Sequence, residues 1–117
     1  MGESVLRNKS YEFAIQIVEL SQGLQDRKEF VLSKQILRSG TAIGALIRES
    51  EFGQSKADFV HKLSISLKEA NETEYWLSIL KDTGYLSSEL YEKLQFSCKE
   101  LISMLVASVK TAKKVLK

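Results

Sequence analysis

Glu69 and Glu72 are the first residues that could do chemistry. Two carboxylates three positions apart share one face of a helix and could divide an acid and a base role between them. With Lys62, Ile65 and Trp76 they form a stripe at spacings of three and four, ending on the only tryptophan. Arg38 and Arg48 are the cations within reach if the helix carrying them packs alongside. Two readings follow. One is a partly buried ion network of Arg38, Arg48, Glu69 and Glu72 that sets helix register. The other is a functional carboxylate pair with displaced protonation. The network is the ordinary outcome for a charged stripe beside a core.

The remaining reactive side chains are few. His61 is the only histidine, and no glutamate lies three residues before it. Di-metal sites in helical bundles are built from carboxylates and Glu-x-x-His pairs, so no metal is expected. Cys98 is the only cysteine, which excludes an intrachain disulfide. It falls on an apolar stripe and reads as a small buried hydrophobe; a nucleophilic Cys–His pair would have only His61 to draw on. No glycine-rich phosphate loop follows a strand. The chain is expected to be neither an enzyme nor a cofactor protein.

Lys110, Lys113, Lys114 and Lys117 gather on one side of the last turns of a C-terminal helix. They suit the negative end of the helix dipole. They could also contact phosphates, joined by Arg7 and Lys9. A net charge of +2 does not by itself demand RNA or DNA as a partner.

The elements that must position these residues are helices. The chain of 117 residues is 44% apolar and 27% charged, and it holds no proline. This is one domain, residues 1–117, with long uninterrupted helices. A lead-in over residues 1–7 precedes a first helix starting near Asn8 or Ser10, with Phe13, Ile17, Leu20 and Leu24 facing inward beside Ala14, Val18 and Ser21. Asp26 caps the second helix in a capping box with Glu29. That helix covers about residues 27–52, with Leu32, Ile36, Gly40, Ile43 and Ile47 inward and Gly53 as a left-handed stop. Ser55 and Asp58 open the third helix, whose stripe is Phe59, Leu63, Leu67, Ala70, Leu77 and Leu80; Gly84 closes it. Ser87 or Ser88 caps the fourth, with Leu90, Leu94, Cys98, Leu101, Leu105, Val109, Ala112 and Leu116 inward. Short loops make neighbours antiparallel, so the fold class is all-α, an up-down-up-down four-helix bundle. No apolar run approaches a membrane span and no signal-peptide core is visible, so the cytoplasm is expected.

The second helix holds RSGTAIGALIRE, residues 38–49. Gly40 and Gly44 each cost a helix about 1 kcal/mol relative to alanine. Their spacing leaves a bare face for close approach by a neighbouring helix. The alternative is a break near Ser39-Gly40.

This motif, followed by DFVHKLSISLKEANETEYWLSILKDTGYL, resembles the bacterial four-helix-bundle family first noticed in intervening sequences of 23S rRNA genes. The resemblance runs from SYEFA at residues 10–14 to Lys110-Thr111. Leu46 departs from the asparagine usual in that family. The resemblance implies a bundle that assembles with itself into a ring, commonly a pentamer. The accessory proteins of diversity-generating retroelements are similar in fold, and theirs are basic pentamers that bind nucleic acid. Two functions are therefore expected to compete. One is a non-enzymatic homo-oligomer that binds RNA or DNA weakly or assists a nucleic-acid enzyme. The other is a structural or interaction module with no such ligand.

Overall fold

The computed structural model describes the backbone of residues 2–116 and the side chains of residues 5–115. Four helices follow one another: α1 (Gly2–Asp26), α2 (Phe30–Glu51), α3 (Lys56–Asp82) and α4 (Ser88–Leu116). Each packs on the next, and α1 touches α4 least. The result is an up-down-up-down bundle of 48 × 22 × 20 Å. No helix among the described residues is long and apolar enough to cross a membrane.

α1 begins earlier than its capping residues suggest. Leu6 is 2% exposed and continues the buried series Ser10, Phe13, Ile17, Ser21 and Leu24. Burying that leucine favours one more helical turn before Ser10. Ser10 is then an interior residue, its hydroxyl donating to the Arg7 carbonyl at 3.0 Å. Residues 2–7 are therefore helix rather than lead-in, while Met1 lies outside the described residues.

The reversal into α2 also differs from expectation. The N–H groups of Lys28 and Glu29 return to the carbonyls of Gln25 and Leu24, both at 2.9 Å. This pair of bonds is a Schellman stop, and Lys28 occupies its left-handed position with φ 63°. Asp26 is spent as the last residue of α1, so Glu29 becomes the cap, its carboxylate accepting from Leu32 N–H at 3.0 Å. Gly53 is not a left-handed stop. Its tightness is spatial: a Cβ there would meet Asp58 Oδ2 at 3.1 Å.

Other boundaries follow local chemistry. Ser55 Oγ accepts from Asp58 N–H at 3.1 Å and Ser87 Oγ from Leu90 N–H at 3.2 Å. Gly84, with φ +84°, completes a second Schellman stop in which Tyr85 N–H reaches Leu80 O at 2.9 Å.

The core is aliphatic at its centre and hydroxylated at its seams. Phe13, Ile17, Ile36, Ile43, Leu77 and Leu105 are fully buried. The buried stripe of α3 runs Val60, Leu63, Ser66, Ala70, Thr73, Leu77 and Leu80. Phe59 and Leu67 only flank it. Thr73 donates to Ser39 Oγ at 2.9 Å and Ser66 to Ile43 O at 2.9 Å, while Ser21 and Ser33 pair at 2.7 Å. Small hydroxyls satisfied in this way let α2 lie close to both neighbours without orphaned polar groups. Leu90, expected inward, is 39% exposed.

Candidate functional site

α2 is continuous through Ser39 and Gly40. A Cβ at Gly40 would stand 2.7 Å from Ile17 Cγ2, and one at Gly44 would stand 3.2 Å from Ser10 Oγ. Both glycines thus face α1. Leu46 is half-buried.

The ion network forms around one arginine. Arg38 Nη1 donates to Glu69 at 3.4 Å and Nη2 to Glu72, while the Trp76 indole N–H donates to Glu72 Oε2 at 3.0 Å. The Arg38 side chain is 52% exposed, so the network lies at the bundle edge rather than in the core. The Trp76 hydrogen bond, reinforced by Arg38 and opposed by desolvation, holds the Glu72 carboxyl below its ordinary range. Glu72 in turn raises the Arg38 guanidinium. This disfavours the protonated form of Glu72, which is the form a general acid needs.

Arg48 does not belong to this network. It lies over the Tyr11 ring, 5.8 Å from its centroid. Ten residues of helix separate it from Arg38, about 15 Å along the axis, whereas Glu69 and Glu72 lie within about 5 Å of each other along theirs. One short acidic step cannot serve both arginines, and Arg48 projects on the α1 side of α2.

His61 is exposed. Cys98 is fully buried, its thiol directed to Ala70 O at 3.3 Å, and burial pushes its pKa up to about 12. The thiolate that nucleophilic chemistry requires is therefore suppressed.

Lys110, Lys113 and Lys114 are exposed on the last turns of α4; Lys117 lies outside the described residues. Arg7 and Lys9 do not join them as free cations. Arg7 pairs with Glu51 at 3.0 Å, and Lys9 with Glu100 at 3.1 Å. Lys56, overlooked in the sequence, stands with Phe59 and Leu63 opposite Thr111, Ala112 and Val115 across a groove of about 560 Å³ at the same end of the bundle. Lys99 was also overlooked, although it precedes Lys110 by about three helical turns and so shares its face.

A crystal structure from Bacteroides thetaiotaomicron, described as a protein of unknown function from the S23 ribosomal protein family, is similar to this chain. The identity is 53% and the TM-score 0.91, covering 94% of this chain and 99% of that one. No curated protein matches. Residues 3–107 match the family described as 23S rRNA-intervening sequence protein. With the match spanning all four helices, the chain belongs to the 23S rRNA-intervening sequence protein family.

Proposed function

We propose that the protein is a non-catalytic, self-assembling bundle that holds nucleic acid against one of its ends. The observation that carries this reading is the concentration there of lysines with no ion-pair partner among the described residues. Lys110, Lys113 and Lys114 are exposed at the same end of the bundle as Lys56, while Glu49 and Glu51 are already engaged by Lys62 and Arg7. Asp58, at the same end, is turned to the Gln54 N–H. Phosphates are the natural counterions for such a cluster, and backbone contacts of this kind carry little sequence information. The family's description makes RNA the first ligand to test.

Self-assembly is supported by apolar surface left uncovered. Tyr11, Ile15 and Val18 form an exposed stripe on α1, while Phe30 is 61% and Phe52 84% exposed. Surfaces of this kind mark contacts. Five copies is the number the family resemblance implies. Parallel subunits would bring several lysine ends to one face and raise the apparent affinity of a nearly neutral chain. The non-catalytic part rests on Cys98, whose burial disfavours the thiolate, and on Glu72, whose carboxylate is engaged by Arg38 and Trp76. The cytoplasm is the compartment that this reading requires.

The test is a gel shift of RNA and DNA at low salt, beside light scattering of the same sample. A retarded complex formed by an oligomer, and lost when Lys110, Lys113, Lys114 and Lys117 become glutamine, supports the proposal. A monomer that shifts nothing overturns it. The second reading, a structural or interaction module without nucleic acid, is favoured by the same apolar stripe and by the net charge of +2. An oligomer that shifts nothing would select it.

A further inference from the structure

The outward faces of α3 and α4 form a longer surface that starts from the lysine end and shares Lys110 and Lys113 with it. On α3, His61, Lys68 and Tyr75 recur every seven residues, about two turns, and all three are exposed. On α4, Phe96, Lys99, Ser103, Val106, Lys110 and Lys113 alternate at three and four residues, all of them exposed. The two helices are locked side by side by Cys98 against Ala70 and by Ser78 against Tyr91. Asp82 continues the α3 series and Glu92 precedes the α4 series, both exposed, so the positive charge of this surface is concentrated in the C-terminal half of α4. The outer face of α1 has the opposite character, with Glu12, Glu19 and Asp26 exposed.

Two large rings stand on this surface without cover: Phe96 is 71% exposed and Tyr75 is 58% exposed. Lysines spread over about 21 Å of α4 can follow a phosphate backbone, and exposed rings offer faces on which bases stack. A duplex keeps its bases stacked inside and could use only the lysines. Asn71 and Ser103, both exposed on the same faces, add neutral groups able to meet a ribose hydroxyl. Resting on the nucleic-acid reading above, we infer that the α3–α4 outer face binds single-stranded RNA, with Tyr75 and Phe96 as stacking platforms and Lys99, Lys110 and Lys113 as phosphate contacts.

Trp76 supplies a built-in reporter. Its ring meets Tyr75 edge-on, with centroids 5.1 Å apart, so a base seated on Tyr75 alters the indole emission. The experiment titrates the full-length protein with a 12-nucleotide oligouridine, the same sequence in DNA, and a 12-base-pair RNA duplex, following anisotropy and Trp76 fluorescence together. The expected result is tighter binding of single-stranded RNA than of either alternative, with Trp76 quenching. Tyr75→Ala and Phe96→Ala each weaken that binding on the order of tenfold, and leave the salt dependence unchanged. Lys99→Gln instead lowers the salt dependence. Circular dichroism confirms that each surface variant is folded. RNA binding unchanged in both ring variants, or equal affinity for duplex or DNA, overturns this inference while leaving the lysine end in place. No binding of any strand at low salt overturns both.

Discussion

Ile17 occupies the space that a side chain at residue 40 would need: a Cβ on Gly40 would meet its Cγ2 at 2.7 Å and its Cγ1 at 2.9 Å. Ile17 is fully buried, and the blocked atoms branch directly from its Cβ, so rotation gives little relief. The two glycines of α2 are thus a consequence of how near α1 lies.

Gly40→Ala gains about 1 kcal/mol of helix propensity and loses more to overpacking, so a net destabilisation of about 1–2 kcal/mol is expected. Gly44→Leu should cost about 1–3 kcal/mol or more against Ser10. Urea unfolding of each variant measures this, and midpoints equal to the parent's would show that α1 can move away freely.

Leu6→Ala tests the early start of α1. Leu6 is 2% exposed, and truncating a buried leucine costs about 2–5 kcal/mol. Thermal melting that does not shift would return residues 2–7 to the status of a loose lead-in.

Part of the local chemistry was legible in the sequence, although Asp26 and Gly53 were misassigned, and choices made by a neighbour were not. Ser55 and Gly84 each act within one turn of their own chain, so residue type sufficed to place them; it narrowed the fourth cap to Ser87 or Ser88, and the Leu90 N–H selects Ser87. Cys98 sits on a strictly periodic apolar stripe and was equally readable. Ser66 and Thr73 were not, because a hydroxyl becomes a core residue only when Ile43 O or Ser39 Oγ stands opposite. Lys28 adopts a conformation usually left to glycine because the Schellman bonds of α1 fix it there. Arg48 could be assigned to the wrong partner because its side of α2 is decided by the angle between α1 and α2.

The edge network predicts a small coupling. Arg38 is half exposed, so a double-mutant cycle of Arg38→Ala and Glu72→Ala should give about 0.2–1 kcal/mol. Because the Glu72 pKa is lowered in the fold, its contribution is present above the ordinary carboxylate value of 4.5 and is lost as pH falls through the folded value. Trp76→Phe removes the leading cause and should shrink that acid-dependent part. A stability–pH curve below pH 5 identical in the two proteins would contradict this assignment.

Cys98 predicts slow chemistry. With its pKa pushed up to about 12 and no exposed surface, the thiol should react with an alkylating reagent only as fast as the bundle opens. Labelling rates that rise in step with urea-induced unfolding are expected. Rapid labelling of the native protein would show that the α3–α4 seam is open.

The central claim is that the lysine end binds phosphates, and the salt dependence of RNA binding tests it most directly. Affinity should fall steeply as salt rises, because each neutralised phosphate releases counterions. Changing Lys110, Lys113, Lys114 and Lys117 to glutamine should flatten the slope of log affinity against log salt by about 0.7 per lost contact on a single strand. A parent whose RNA affinity is insensitive to salt, or a variant with the parent's slope, would contradict the account.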